Sequence, residues 1–310
     1  MKKRILSVLL SLAMLAGIVA ATSLHAGAAP SLNAALFKGK ASDVFHGDIA
    51  RVAAKVTKGE SFGLTWREYG KQNPWDTGNK SFDEFFGLPD FKIGYISSKG
   101  TALVAVRLPG TSKQIGTAYL SYLAYLPYHG YLAHAGFKAY ADRVWAELDA
   151  FIAEKGFTDI KLLVTGHSMG AACANLLGAR LADEKSIGGW AIDAADVYVY
   201  GFESPGVHIG PLGCGGGKTI GNVFNLVNTA DFLIHIAPGQ RFGATYLFTC
   251  DQPAGGDWHN LNYAEYEAGI AAVEAGIKRG EGPAETQWAK GLANSLGESV
   301  VRYGVGGLVG

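Results

Sequence analysis

The stretch LLVTGHSMGAACANLL, residues 162–177, runs from an apolar segment through a Gly-His-Ser-Met-Gly turn into a train of small residues. The pattern predicts a strand, a sharp turn and a helix, the context in which a Gly-x-Ser-x-Gly turn holds its serine up as a nucleophile. Glycines on both sides of Ser168 let strand and helix approach without Cβ clashes. Ala171, Ala172, Cys173, Ala174 and Gly178 keep the helix thin where it packs on a sheet. The first N–H groups of that helix face the turn, and the one on Met169 is placed to stabilise an oxyanion.

The same pattern occurs a second time, as Gly59-Glu60-Ser61-Phe62-Gly63. It follows a helical pattern and precedes LTWREYG, which is neither small-residue nor helix-periodic. A nucleophile turn needs the strand before it and the helix after it. Only Ser168 has both.

Outward from Ser168, IKLLVT is a strand, and before it apolar positions 137, 141, 144, 148, 151 and 152 mark a helix that Gly156 stops. FKIGYIS and ALVAVRL are two strands joined at Ser98-Lys99-Gly100. DIARVAAKV (48–56) has helical spacing, and DVYVYGF and NVFNLVN are further strands. Strands alternating with helices predict an α/β fold, a mostly parallel sheet with helices on both faces. No repeat or linker divides residues 29–279, so residues 29–310 are expected to form one domain with a glycine-rich tail.

The chain has 310 residues, 48% hydrophobic and 17% charged, enough core-forming material for one large α/β domain. Lysine plus arginine equal aspartate plus glutamate at 27 each, so no basic excess points to nucleic acid. Residues 1–28 are set apart: Lys2, Lys3 and Arg4 precede an apolar run, and Ala26-Gly27-Ala28 supplies a small-residue cleavage pattern. That predicts a secretory signal peptide, with an uncleaved membrane anchor as the alternative. Among the cysteines, Cys173 reads as a buried thiol. Cys214 and Cys250 form either a disulfide or two free thiols, and the spacing fits no metal site.

A serine hydroxyl needs a base to take its proton. In this architecture the partners follow in the order Ser, then Asp or Glu, then His. His208, in SPGVHIG, and His235, in FLIHIAP, are expected to be wall or loop residues. His259, in GDWHNLNY, lies in a late polar loop where a returning base belongs. Asp231 directly follows a strand, at the edge where catalytic groups of open α/β sheets collect. Asp251 and Asp257 are rivals, but lie close to His259 in sequence.

These residues resemble the class 3 lipases of the α/β-hydrolase fold. VTGHSMGAACANLLGARL resembles that family's nucleophile turn and helix, and HAGFKAYAD (134–142) its His-x-Gly-Phe segment. VYVYGFESPGVHIG is similar to its Phe-Gly-x-Pro loop, and NLVNTADFLIHIAP to its Val-Asn-x-x-Asp pattern. The likeness spans roughly residues 91–266. It implies a Ser168–Asp231–His259 triad, and an oxyanion donor at Thr111 in the Gly110-Thr111 pair beside the one on Met169. It also implies a lid at residues 119–132 that meets a lipid–water surface, and no metal or organic cofactor. Tyrosines recur there at 119, 122, 125, 128 and 131, a step that drifts about 60° on a helix and makes no single stripe. Pro127 and Gly130 would end any helix near Leu126, and a buried connector is the alternative to a lid.

The chain departs from the family pattern at Leu108-Pro109, where Phe-Arg is usual, at Met169 and Ala171, and at Glu203, where glycine is usual. The resemblance implies a secreted serine hydrolase acting on acylglycerols or related lipid esters. Alternatives with the same triad are a soluble-ester esterase, a phospholipase or an acyltransferase. A catalytically silent surface-binding homologue is the alternative outside enzymes.

Overall fold

The computed structural model describes residues 31–70, 87–97, 100–110, 124–211, 220–231, 234, 239–250 and 253–276. Thr111, residues 119–123, Cys214, His235, Asp251 and the expected signal peptide lie outside the described residues, as does the tail from residue 277. The chain divides into two compact units, Met1–Ser31 and Leu32–Gly310, and every element below belongs to the second.

Helix α1 (Gly47–Thr57) buries Ile49, Val52, Ala53 and Val56 on one stripe, and carries Asp48 at its positive N-terminal end. Strands β1 (Thr65–Tyr69), β2 (Phe91–Ser97) and β3 (Ala102–Leu108) follow. Next come β4 (Tyr125–Tyr128), β5 (Tyr131–His134) and the long helix α2 (Ala135–Lys155). Gly156, at φ 64°, ends α2 in the left-handed conformation that glycine adopts without strain. Strand β6 (Ile160–His167) then runs through Ser168 into α3 (Met169–Asp183). A short hairpin, β7 (Ser186–Ile187) and β8 (Trp190–Ala191), precedes β9 (Val197–Phe202). The remainder is β10 (His208–Pro211), β11 (Val223–Asn228), β12 (Ala244–Phe248) and α4 (Tyr263–Glu274).

Among the described residues the central sheet has the order β1-β2-β3-β6-β9-β11-β12. Strand β2 pairs antiparallel with β1 and β3, and from β3 to β12 all pairings are parallel. Alternate residues face opposite layers. Val104, Val106, Leu162, Val164, Val197 and Val199 pack with α2 and α3. Leu103, Ala105, Leu163, Tyr198 and Tyr200 pack with α1 and α4. Both faces being covered, β6, β9 and β11 are buried along nearly their whole length and are rich in Val, Leu, Ile, Phe and Tyr. The small residues of α3 serve this packing: a Cβ on Gly178 would stand 2.5 Å from Val223 Cγ2.

Residues 124–132, the described part of the expected lid, carry no helix. They form the hairpin β4–β5, which β10 extends into a second sheet. Pro127 sits in β4, an edge strand, where its missing N–H costs no ladder bond. Tyr128 and Tyr131 are buried in the core, whereas Leu126 is exposed.

Candidate active site

Ser168, Asp231 and His259 come from three separate loops. Ser168 follows β6, Asp231 lies three residues past β11, and His259 precedes α4. The first two therefore stand at the C-terminal edge of the parallel strands, where the sheet presents its groups to a ligand.

Ser168 has φ 56° and ψ −123°, a conformation that a residue with a Cβ avoids. The turn is held by Ser168 N–H donating to Phe202 O at 2.9 Å and Ala172 N–H to Ser168 O at 3.0 Å. A Cβ on Gly166 would run into the backbone of Gly170, and one on Gly170 into that of Leu108. The flanking glycines are thus required by proximity.

Ser168 Oγ lies 2.6 Å from His259 Nε2, and His259 Nδ1 lies 2.6 Å from Asp231 Oδ2. With the imidazole protonated on Nδ1, the hydroxyl donates to Nε2 and the ring donates to the carboxylate. Asp231 is almost wholly buried while His259 and Ser168 are partly open, so the line runs from the interior outward. Of the rival acids, Asp257 instead accepts the backbone N–H groups of His259 and Asn260 at 2.9 and 3.1 Å, shaping the loop that carries the base.

Met169 opens α3, so its N–H has no carbonyl partner within the helix and lies at the positive end of the dipole. Gly110 closes on the same place: a Cβ there would stand 2.6 Å from both His167 O and Ser168 Cβ. The segment leading to Thr111 thus lies against the serine, despite the unusual Leu108-Pro109.

Three neighbours escaped the sequence reading. His167 donates from Nε2 to the His259 carbonyl at 2.6 Å, and burial lowers its pKa to about 3, so the ring is neutral. Asn228 accepts the N–H of Ala230 at 3.2 Å and of Cys250 at 2.9 Å, and donates to Trp258 O at 3.2 Å. It ties the loop carrying Asp231 to the loop carrying His259. Glu203, fully buried at the end of β9, accepts Asn228 N–H through Oε2 at 2.8 Å. Their signals were present, as the residue before the serine, the Asn of Val-Asn-x-x-Asp, and the glutamate in a glycine position. His208, by contrast, is a wall residue: buried, stacked at 4.2 Å on Phe242, and lowered to about 4 by burial.

Residues 106–241 match the family described as lipase (class 3), a region that holds Ser168 and Asp231 and stops short of His259. No curated protein matches the chain. Similar solved structures include the Rhizomucor miehei triacylglyceride lipase, at 18% identity over 66% of this chain and 78% of that one, with a TM-score of 0.43. A lipase from Rhizopus microsporus var. chinensis is also 18% identical, over 73% of this chain and 79% of that one, with a TM-score of 0.41. Over residues 106–241 the chain is thus similar to the class 3 lipases, on a mostly parallel sheet with helices on both faces.

Proposed function

We propose that the chain hydrolyses acylglycerols or related lipid esters through an acyl-enzyme on Ser168. His259 takes the hydroxyl proton as Ser168 Oγ attacks the ester carbonyl. Asp231 holds the ring in the required tautomer and stabilises its cationic form. The N–H groups of Met169 and Thr111 bind the tetrahedral oxyanion. His259 then protonates the leaving alcohol, and water hydrolyses the acyl-enzyme by the reverse path. The observation that carries the proposal is the line Ser168 Oγ–His259 Nε2–His259 Nδ1–Asp231 Oδ2, with both contacts at 2.6 Å. The approach of Gly110 to Ser168 supports the part given to Thr111.

The test is the initial rate against tributyrin concentration, taken through its solubility limit, for wild type and Ser168→Ala. A rate that jumps once droplets form, and is abolished by the substitution, is expected. A smooth saturating curve below the limit, still abolished by the substitution, gives the second reading, an esterase for soluble esters. The burial of Tyr128 and Tyr131 favours that reading, because two of the three described tyrosines in the segment expected to meet lipid are core. Full activity in Ser168→Ala would overturn both.

The enzyme is also proposed to be exported, on the basic start, the apolar run and the Ala26-Gly27-Ala28 pattern. Sequencing the N-terminus of protein recovered outside the cytoplasm should give Ala29 first.

A further inference from the structure

Glu203 is an expensive residue to keep where it stands. It has φ 53°, in the left-handed region that disfavours any side chain with a Cβ, and its carboxyl is wholly removed from solvent. Glycine would meet the first requirement without strain. A side chain held against both costs acts through its contacts.

Those contacts lie at a node. Phe202, the residue before it, accepts the N–H of Ser168, and Glu203 N–H donates to Leu226 O at 3.0 Å. Glu203 Oε2 accepts the N–H of Asn228, where β11 turns into the Asp231 loop. Asn228 in turn bonds Ala230 on that loop and Trp258, the neighbour of His259. Residues 202 and 203 thus bond directly to the Ser168 turn and to β11 where it enters the Asp231 loop, and reach the His259 loop through Asn228, while β9 lies between the strands that carry Ser168 and Asp231.

Four titratable groups face the carboxyl. Asp231 comes from the β11 loop, Arg241 from just before β12, Lys58 from the end of α1, and Tyr266 from α4. Arg241 stays cationic at neutral pH, its value lowered by burial only to about 10, and donates to Ser204 O at 2.5 Å. Lys58 is exposed to solvent, so in the interior one charge on Asp231 stands against one on Arg241. A second carboxylate there would be a buried anion with an oxygen, Oε1, that accepts no hydrogen bond from any described group. Burial first, and then the charge of Asp231, push the Glu203 carboxyl well above the usual carboxylate range.

We infer that Glu203 is a positioning residue of the triad, a carboxyl that keeps its proton while Asp231 carries the charge, and that fixes the Asp231 and His259 loops through Asn228. The inference rests on the proposed triad. A neutral Glu203 leaves Asp231 as the anion that sets the basicity of His259, whereas an ionised Glu203 would raise it.

Two variants and one spectrum test this. Glu203→Gln keeps the acceptor for Asn228 N–H and has no charge. Its kcat/KM on a soluble ester should stay within about two-fold of wild type, with the acid limb of the pH profile unmoved. Glu203→Gly relieves the backbone and removes the acceptor. It should fold with a native circular dichroism spectrum, lose about ten- to a hundred-fold in kcat and leave KM unchanged. The infrared C=O stretch of a protonated carboxyl should be present at pH 7 in the wild type and missing from Glu203→Gln. An absent band, or an acid limb that falls by about half a pH unit or more in Glu203→Gln, would overturn the proton assignment. Wild-type kcat in Glu203→Gly would overturn the positioning role. Failure of the triad reading has its own signature, an unchanged rate in Ser168→Ala, and the infrared result stands independently of it.

Discussion

The two Gly-x-Ser-x-Gly turns use the same letters for opposite physical reasons. At Gly59–Gly63 a helix comes before and a strand after, and the outer glycines sit at φ 107° and 72°. Those glycines are there for conformation: a Cβ on Gly63 would meet nothing within 4 Å. At Gly166–Gly170 the strand comes first, neither glycine has a positive φ, and each lacks room for a Cβ. The strain sits on Ser168 itself. A glycine that bends the chain marks a turn, whereas a glycine that lets backbones meet marks a place where a side chain has been pushed out on purpose.

The sharpest way to break this contrast is to truncate both serines. Ser168→Ala should lower kcat/KM on a soluble ester by about 10⁴-fold or more, leaving only what the oxyanion site and binding supply. Ser61→Ala should stay within about two-fold, because Ser61 lies exposed in a connecting turn. An equal loss in both would remove the distinction. Asp231→Asn comes next. It keeps the shape but favours the wrong imidazole tautomer, and should cost kcat about 10³- to 10⁴-fold with little change in KM. A mild effect there would mean that another carboxyl orients His259.

That the two turns could be told apart from sequence follows from what surrounds them. Strand β6 is buried on both faces, so it shows as an apolar run, and α3 must be thin, so it shows as alanines. Asp231 was legible because it follows a strand directly, and His259 because the order of the partners leaves few histidines. The hairpin β4–β5 was not. Tyr128 and Tyr131 both turn to the core, Tyr131 against His208 of β10, a strand whose pairing with β5 spans more than 70 residues of sequence. Glu203 was visible only as a departure from pattern. Its role depends on Asn228 and Arg241, which no local periodicity links to it.

The glycines give the next comparison. Gly170→Ala places a methyl group against the Leu108 carbonyl, which backbone cannot yield easily, and should cost about 3 kcal/mol of stability. Gly63→Ala has open space and carries only the left-handed backbone penalty, about 1 kcal/mol. Urea unfolding midpoints at fixed m-value measure both, and a reversed order would show that the close approach at Gly170 relaxes at little expense.

The residue before each serine gives the smallest effect. Glu60 is exposed and stands 3.9 Å from Lys55, while His167 is buried and bonded to the His259 carbonyl. Burial lowers the His167 value from 6.5 to about 3. Between those limits the unfolded chain binds a proton at this ring and the folded protein does not. Stability therefore rises with pH across that window and is fully present above about 6.5. At pH 5 the ring should cost on the order of 2 kcal/mol relative to pH 7. His208, lowered to about 4, acts in the same direction and remains in any His167 variant. His167→Gln keeps a donor for the carbonyl but binds no proton, so its unfolding midpoint should fall less between pH 7 and pH 5 than that of wild type. If His167→Gln loses stability on acidification as steeply as wild type, the proton that opens the fold enters elsewhere, and the buried histidine is only a spacer beside the serine.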